Sequence, residues 1–337
     1  MAKIPIAVVT GDWHLHKFKN FNANDQRLLM PLECVKRIDR DAQRLGVPIL
    51  FLGDLLHTPE SVETETNIWV RAVMESMESQ VFYISGNHDQ SRENTFLKPS
   101  PSHCYAFFWN DNFKSTEYQA ANIKVKNLNL NLQLCGIPYS KRNSELEPWI
   151  KEFSRPKDDD LIRIVMIHAD IPQAEHENGY MVEEVDNVHS NFLSRILKND
   201  KIDLVVGGHI HKPQLLNRKV LLAGAPYQQR TSDMGLKMGY WVLYWSTKHE
   251  RVIPEFVDCE MPEFKMIDSL DNLPDDYHFY MLPHLTNIFM ESEAEDEGTK
   301  LDLNNKKAII RRYLKVWEGG YTKEREKFLT ELISYEY

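Results

Sequence analysis

The hydrophobic pattern of the first hundred residues alternates between short apolar runs and stretches with helical spacing. Three apolar, largely β-branched or aliphatic runs predict strands, at residues 4–10, 48–52 and 81–84. Between them, residues 32–45 and 66–77 place apolar side chains at helical spacing and predict two helices. This order is typical of a βαβαβ unit built on a parallel sheet.

The middle of the chain has a different pattern. Residues 123–137 alternate apolar and polar side chains, which predicts antiparallel strands with one solvated face. Further apolar runs predict strands at residues 161–167, 202–206, 220–222, 240–245 and 252–257. We therefore predict an α/β fold in which two mixed sheets form a sandwich with flanking helices.

The character of the sequence changes after residue 258, where the predicted main domain, residues 1–258, ends. Residues 259–290 hold too little apolar material for an independent core and are predicted to form a small accessory unit. The acidic stretch at 291–303 is predicted to be a solvated linker. Residues 304–337 repeat helical spacing on both sides of a Gly-Gly pair, which predicts a helical hairpin on that tether.

Composition narrows the function classes. A formal net charge of −10 over 337 residues argues against a protein that coats nucleic acid by bulk positive charge, although nucleic acid can still be a substrate. The four cysteines are widely spaced without a CxxC pair, which is typical of thiols in a reducing compartment. The first apolar run is too short for a signal segment or a membrane span. We expect a cytoplasmic protein with no membrane association.

Polar clusters follow five of the predicted strands. They are Asp12-x-His14, Gly53-Asp54, Gly86-Asn87-His88-Asp89, His168 and His209-x-His211. Any one of them could be an ordinary turn, but α/β sheets place their sites at the carboxyl ends of strands, so five clusters there indicate a shared site. Oxygen and nitrogen donors without sulfur suit a pair of hydrolytic divalent ions better than a structural zinc site. Asp54 is the natural bridging carboxylate.

This series of clusters resembles the pattern of the calcineurin-like metallophosphoesterase superfamily. Within it, Gly53-Asp54-Leu55-Leu56-His57 and Gly224-Ala225-Pro226 resemble segments of SbcD-type recombination nucleases. The short acidic tail is most similar to that of the small subunit of phage-encoded recombination endonucleases. The resemblance covers about residues 4–258 and implies a four-layer αββα sandwich as the nuclease domain, with the accessory unit and the tethered hairpin beyond it.

The resemblance also implies a role for each site residue. One ion would be held by Asp12, His14, Asp54 and His211, and the other by Asp54, Asn87, His168 and His209. His88 would protonate or stabilise the leaving oxygen, a step often worth about 10² to 10⁴ in rate. His57 would position DNA or support endonuclease chemistry, with a structural role as the alternative. The expected cofactor is two Mn²⁺ ions, with Mg²⁺ or another divalent ion as alternatives.

The function implied by the resemblance is a Mn²⁺-dependent DNA nuclease of recombination and repair. It would act as a 3′ to 5′ exonuclease on duplex DNA and as a single-strand endonuclease, together with an SbcC-type coiled-coil ATPase. We expect a homodimer within a heterotetramer, in the host cytoplasm if the protein is phage-encoded, with the hairpin docking on the ATPase. Two alternatives remain open: a small-molecule phosphodiesterase of the same superfamily, and a non-catalytic scaffold in a DNA-end complex. The roles of His16 and Asp89 also stay open, since Asp89 could orient His88 or stabilise a turn.

Overall fold

The computed structural model divides into two compact units. The first contains residues 1–16, 30–227 and 236–261, and the second contains residues 17–29, 228–235 and 262–337. The structure describes residues 3–16, 26–57, 70, 72–89, 103–107, 120–125, 128–139, 160–182, 198–199, 201–268 and 278–281. The predicted linker and helical hairpin, residues 291–337, lie outside these described ranges, and the predicted domain boundaries stay predictions.

Fourteen strands and one long helix make up most of the regular structure that is described. The helix is α1 (Gln26–Leu45), and the strands of the first unit are β1 (Lys3–Thr10), β2 (Ile49–Phe51), β3 (Val81–Ile84), β4 (Cys104–Phe107), β5 (Ala120–Lys124), β6 (Asn131–Ile137), β7 (Leu161–His168), β8 (Leu204–Gly208), β9 (Gln214–Leu216), β10 (Val220–Leu222), β11 (Gly239–Ser246) and β12 (Arg251–Asp258). The second unit contributes β13 (Phe264–Met266) and β14 (Phe279–Met281).

The first unit is built on two six-stranded mixed sheets. In one sheet the order is β12-β11-β1-β2-β3-β4. Strands β1 to β4 are parallel to one another, β11 is antiparallel to β1, and β12 is antiparallel to β11. In the other the order is β5-β6-β7-β8-β10-β9, with parallel pairs in the middle and antiparallel pairs at both edges. The predicted α/β sandwich of two mixed sheets is confirmed.

The main core contains side chains from both sheets. It includes Val9, Leu50 and Phe82 from the first sheet and Leu134, Ile164 and Val206 from the second. Alternate residues of the second sheet, such as Val165 and Ile167, belong to a separate buried cluster. Because successive side chains of a strand point to opposite faces, β7 is buried on both sides. This double burial explains why residues 164–167 of β7 are all apolar rather than alternating with polar residues.

Several sequence predictions differ from the structure in detail. Helix α1 begins at Gln26, six residues before the predicted start, and continues through Pro31. The short strands β4 and β9 were not predicted, because three or four residues carry too little periodicity. Strand β6 is antiparallel to β5 as expected, but parallel to β7. All four cysteines are buried, and none of them forms a disulfide bond. No described helix is long and apolar enough to cross a membrane.

In the second unit, an arginine lies over a pair of aromatic rings. The guanidinium carbon of Arg27 is 5.3 Å from the ring centroid of Phe264 and 5.4 Å from that of Phe279, which belong to the parallel pair β13–β14. The same guanidinium donates a hydrogen bond to the carbonyl oxygen of Gln229 at 2.7 Å. Cation–π contacts and this hydrogen bond therefore hold the Arg27 side chain against the strand pair β13–β14.

Candidate metal centre

The loops that follow β1 and β2 run side by side. The backbone N–H of Asp12 donates to the carbonyl oxygen of Gly53, and that of His14 donates to the carbonyl oxygen of Asp54, both at 2.9 Å. This pairing continues the parallel pairing of β1 and β2 beyond the ends of the strands. It brings the first two predicted clusters into contact at the carboxyl ends of the sheet, where α/β folds place their sites.

Four predicted ligands have a backbone conformation that is unusual for residues other than glycine. Nine described non-glycine residues have a positive φ, and they include Asp12 (51°), His14 (41°), Asp54 (55°) and His209 (88°). This conformation is unfavourable for a residue with a Cβ and persists only when the surrounding structure imposes it. The strained backbone at these four residues therefore costs some folding stability, and strain of this kind is typical of functional sites.

The first cluster contains Asp12, His14 and His211, whose candidate ligand atoms all lie within 4.8 Å of one another. All three residues are buried. The Nε2 atoms of His14 and His211 face each other at 3.1 Å. The Nδ1 atom of His14 is buried and has no hydrogen-bond partner among the described residues. Burial, reinforced by the nearby His211, lowers the pKa of His14 well below its ordinary value, so the ring is neutral and able to bind a cation.

The second cluster contains Asp54, His168 and His209, again within 4.8 Å. The side-chain oxygen of Asn87 lies 3.0 Å from Nε2 of His168 and 3.0 Å from Nδ1 of His209. On the other side of its ring, His168 donates from Nδ1 to the carbonyl oxygen of Leu52 at 2.6 Å. This hydrogen bond leaves Nε2 of His168 directed at the cluster, as expected for a metal-binding histidine.

Asp54 connects the two clusters through a single oxygen atom. Its Oδ2 lies 3.5 Å from Nε2 of His14 and 3.3 Å from Nε2 of His168. Its other oxygen, Oδ1, accepts a hydrogen bond from the backbone N–H of His88 at 2.9 Å. Asp54 therefore occupies the position that a carboxylate bridging two ions requires.

The protonation of the buried groups indicates what the site can bind. Burial raises the pKa of Asp12 to about 8. Although burial opposes both charges, the attraction between Asp54 and His168 lowers the pKa of Asp54 and raises that of His168 to about 9. In the absence of metal, protons therefore occupy positions that divalent cations can take over. Buried oxygen and nitrogen donors in two convergent groups fit two such ions.

His88 is held by the backbone of His57. Nδ1 of His88 donates to the carbonyl oxygen of His57, and the ring of His88 lies 4.6 Å from that of His14, nearly perpendicular to it. The side chain of His57 is exposed and stacks on the ring of His16, with centroids 4.3 Å apart. The structure thus brings both predicted catalytic histidines to the edge of the first cluster, but the contact that orients His88 comes from a carbonyl group that no motif predicts.

The carboxylate of Asp89 links the loop after β2 to the loop after β3. Its carboxylate accepts hydrogen bonds from the backbone N–H groups of Asp54 at 2.7 Å, Leu55 at 2.9 Å and Gly86 at 3.0 Å. Of the two roles left open by the sequence, these contacts support the turn-stabilising one. A Cβ at Gly86 would lie 2.0 Å from Oδ1 of Asp54, so the close approach of the two loops requires glycine there.

Three residues beside the clusters were missed by sequence reasoning. Tyr139 follows β6 by two residues, and its ring centroid lies 6.1 Å from that of His168 and 6.0 Å from that of His209. Asp170 and Glu177 lie in the loop after β7 and approach the rings of the two histidines that follow β8. The position of Tyr139 at a strand end was an available signal, whereas isolated acidic residues in a loop carry none.

Comparison with known proteins gives one family match. The family model for calcineurin-like phosphoesterases matches residues 7–213, which span all the predicted metal ligands. None of the curated proteins matches the chain. Among solved structures, the chain is similar to a hypothetical protein from Thermus thermophilus, with 13% identity and a TM-score of 0.40 over 75% of this chain and 98% of that one. A likeness this distant carries no argument about function.

Proposed function

The chain belongs to the calcineurin-like phosphoesterase family, and on that premise we propose that it is a DNA nuclease that uses two divalent ions. Membership makes the chain a metal-dependent phosphoester hydrolase with clusters of candidate metal ligands. The proposal goes further in three respects: the phosphoester is a phosphodiester of DNA, the ions are Mn²⁺, and the enzyme acts with a coiled-coil ATPase of SbcC type.

The observation that carries the proposal is the position of Asp54 between the two clusters. Its Oδ2 lies within 3.5 Å of one histidine nitrogen from each cluster. The residues that would hold the first ion are Asp12, His14, Asp54 and His211, and those that would hold the second are Asp54, Asn87, His168 and His209. Ions held by these residues would supply Lewis acidity for both the attacking and the leaving oxygen of a phosphodiester.

His88 would move the proton at the leaving oxygen. Because its Nδ1 is engaged by the carbonyl oxygen of His57, Nε2 is the nitrogen that exchanges a proton with the substrate. The ring is held beside His14 without being one of the predicted ligands. When Nε2 is protonated, it can donate to the departing oxygen, a contribution often worth about 10² to 10⁴ in rate.

The choice of DNA as substrate is supported by two motifs. The segment from Gly53 to His57 and the segment Gly224-Ala225-Pro226 resemble those of SbcD-type nucleases. By the same resemblance, the enzyme degrades duplex DNA from 3′ to 5′, cuts single strands internally and works as a homodimer within a phage-type recombination complex. Phosphate contacts dominate such binding, so cleavage should show little sequence preference.

Digestion of two substrates tests the proposal. The protein is incubated with Mn²⁺ and either end-labelled duplex DNA or bis(p-nitrophenyl) phosphate. We expect DNA degradation that is slowed about 10²- to 10⁴-fold in His88→Gln and unchanged in His249→Gln, an exposed histidine in the β11–β12 turn. Cleavage of the small phosphodiester without degradation of DNA would identify a small-molecule phosphodiesterase. Cleavage of neither substrate, with ions bound, would identify a scaffold.

Docking of the ATPase is proposed for residues 304–337, which are tethered by the acidic linker at 291–303. The sequence predicts an apolar helical face in this segment after a solvated tether, and such a face would be available to a partner. Removal of residues 301–337 should abolish binding to an SbcC-type ATPase while leaving nuclease activity in place. Retention of full ATPase binding by the truncated protein would place the docking site elsewhere.

A further inference from the structure

The loop after β7, residues 169–182, carries one carboxylate for each of the two histidines that follow β8. We propose that Asp170 and Glu177 are positioning residues that fix the rings of His209 and His211, so that this loop prepares both ion sites. The inference rests on the two-ion site of the proposed function and deepens it. Neither carboxylate belongs to the predicted ligand set, and each acts through the histidine it contacts.

Asp170 contacts the nitrogen of His209 that faces away from the second cluster. Its Oδ1 lies 3.2 Å from Nε2 of His209, while Nδ1 of the same ring lies 3.0 Å from the side-chain oxygen of Asn87. A neutral imidazole has one N–H and one lone pair. With the N–H at Nε2 donated to Asp170, the lone pair at Nδ1 is directed at the position of the ion.

Glu177 approaches the other ring nitrogen of His211 and accepts a hydrogen bond from the backbone N–H of that residue. Its Oε1 lies 3.4 Å from Nδ1 of His211 and also accepts the backbone N–H of His211 at 3.2 Å. Nε2 of His211 then faces Nε2 of His14 in the first cluster, at 3.1 Å. The two histidines therefore direct opposite nitrogens at the clusters, and a separate carboxylate lies beside the far nitrogen of each.

The loop has its own anchors, which do not involve Asp170 or Glu177. Glu175 forms an ion pair with Lys212 at 2.6 Å. The backbone of Glu175 also exchanges two hydrogen bonds with the side-chain amide of Gln214, at 2.9 and 2.6 Å. Glu175 and Met181 pair as an isolated β-bridge. Because these contacts hold the loop in place, the two proposed carboxylates can be replaced without releasing it.

A carboxylate on the far nitrogen of a metal-binding histidine fixes the tautomer, orients the ring and makes the ligand more basic. Loss of such a partner typically weakens metal binding about 10- to 100-fold. The side chain of Glu177 is 10% exposed and that of Asp170 is 39% exposed. Because water can replace the more exposed partner, we expect the larger effect from Glu177.

Calorimetric titration of the metal-free protein with Mn²⁺ tests the inference without any substrate. We expect Asp170→Ala and Glu177→Ala each to weaken one of two binding steps about 10- to 100-fold. Asp170→Asn and Glu177→Gln keep a hydrogen-bond acceptor and should lose less; they also keep the test valid if an alanine variant does not fold. Glu175→Gln, in the same loop but paired with a lysine, is the matched control and should bind as the wild type does.

A double-mutant cycle shows whether each carboxylate acts through its histidine. In a His209→Ala background, Asp170→Ala should cause no further loss of affinity, whereas in a His211→Ala background it should cause its full loss. Glu177→Ala should cause no further loss of affinity in the His211→Ala background and its full loss in the His209→Ala background. Full additivity in every background, or an equal loss in Glu175→Gln, would overturn the inference and leave a merely structural loop. If the wild type binds both ions and the double mutants behave as expected, but the protein does not degrade DNA, only the proposed function is contradicted.

Discussion

Asp12 and His168 are two groups of the site whose pKa is raised above neutral pH when metal is absent. Burial raises the pKa of Asp12 to about 8, and Asp54 raises the pKa of His168 to about 9 against the opposing effect of burial. At pH 7, below both values, the metal-free protein binds a proton on each group. Divalent ions bind the deprotonated forms, so metal binding must displace these protons.

We therefore predict that metal binding releases protons and strengthens as the pH rises. The affinity for Mn²⁺ should increase between pH 6 and about 9 and then level off, because above the pKa of His168 no proton is left to displace. Titration calorimetry in buffers with different ionisation enthalpies measures the number of protons released. No release at pH 7 would show that the metal does not bind at these residues.

Asp89 is predicted to stabilise the fold rather than take part in the reaction. Asp89→Ala leaves the backbone N–H groups of Asp54, Leu55 and Gly86 without their buried acceptor. Each lost partner costs about 1–3 kcal/mol, so the free energy of unfolding should fall by at least about 2 kcal/mol. Asp89→Asn keeps one oxygen and should lose less. Denaturant unfolding of the metal-free variants measures both values, and unchanged stability in Asp89→Ala would contradict this role.

At the scale of the elements, the buried parallel strands and the polar clusters at their ends were predictable from the sequence. Strand β3 and residues 6–9 of β1 and 164–167 of β7 are continuous apolar runs because they are buried on both faces. The short edge strands β4 and β9 were not predictable, since their pairing is set by neighbours distant in sequence. The early start of α1 at Gln26 was missed because a proline inside a helical pattern normally indicates its beginning.

The residues of the site also divide into those that the sequence identifies and those that it does not. The residues of the short motifs could be identified because each follows an apolar run and each offers a metal-binding atom. The contacts that orient them could not, because they come from carbonyl groups such as that of Leu52 and from loop carboxylates such as Asp170 and Glu177. Such partners have no periodicity and no fixed distance along the chain from the residue they support.

The close approach of the loops after β2 and β3 gives a prediction at this scale. In Gly86→Ala, the new Cβ would lie 2.0 Å from Oδ1 of Asp54, so the bridging carboxylate must move. We expect this variant to lose measurable binding of at least one ion. Gly235→Ala is the control: its φ of +80° adds strain, but a Cβ there has no neighbour within 4 Å. Unaltered ion binding in Gly86→Ala would show that the loops are not held this closely.

For the whole molecule, metal binding and catalysis should be separable. Asn87→Ala removes an oxygen 3.0 Å from two histidine nitrogens and should weaken ion binding. His88→Gln should leave both ions bound but slow phosphodiester cleavage about 10²- to 10⁴-fold, because the proton donor is lost. Metal content by plasma mass spectrometry and single-turnover cleavage rates measure the two effects. Loss of ions in His88→Gln would make His88 a ligand instead.

The most direct test of the account is a crystal structure of the protein with Mn²⁺, with anomalous diffraction recorded at the manganese absorption edge. The shared position of Asp54 Oδ2 between His14 and His168 predicts two anomalous peaks. They should be about 3.5–4 Å apart, one on each side of that oxygen. A single peak, or peaks that Asp54 does not bridge, would contradict the two-ion centre.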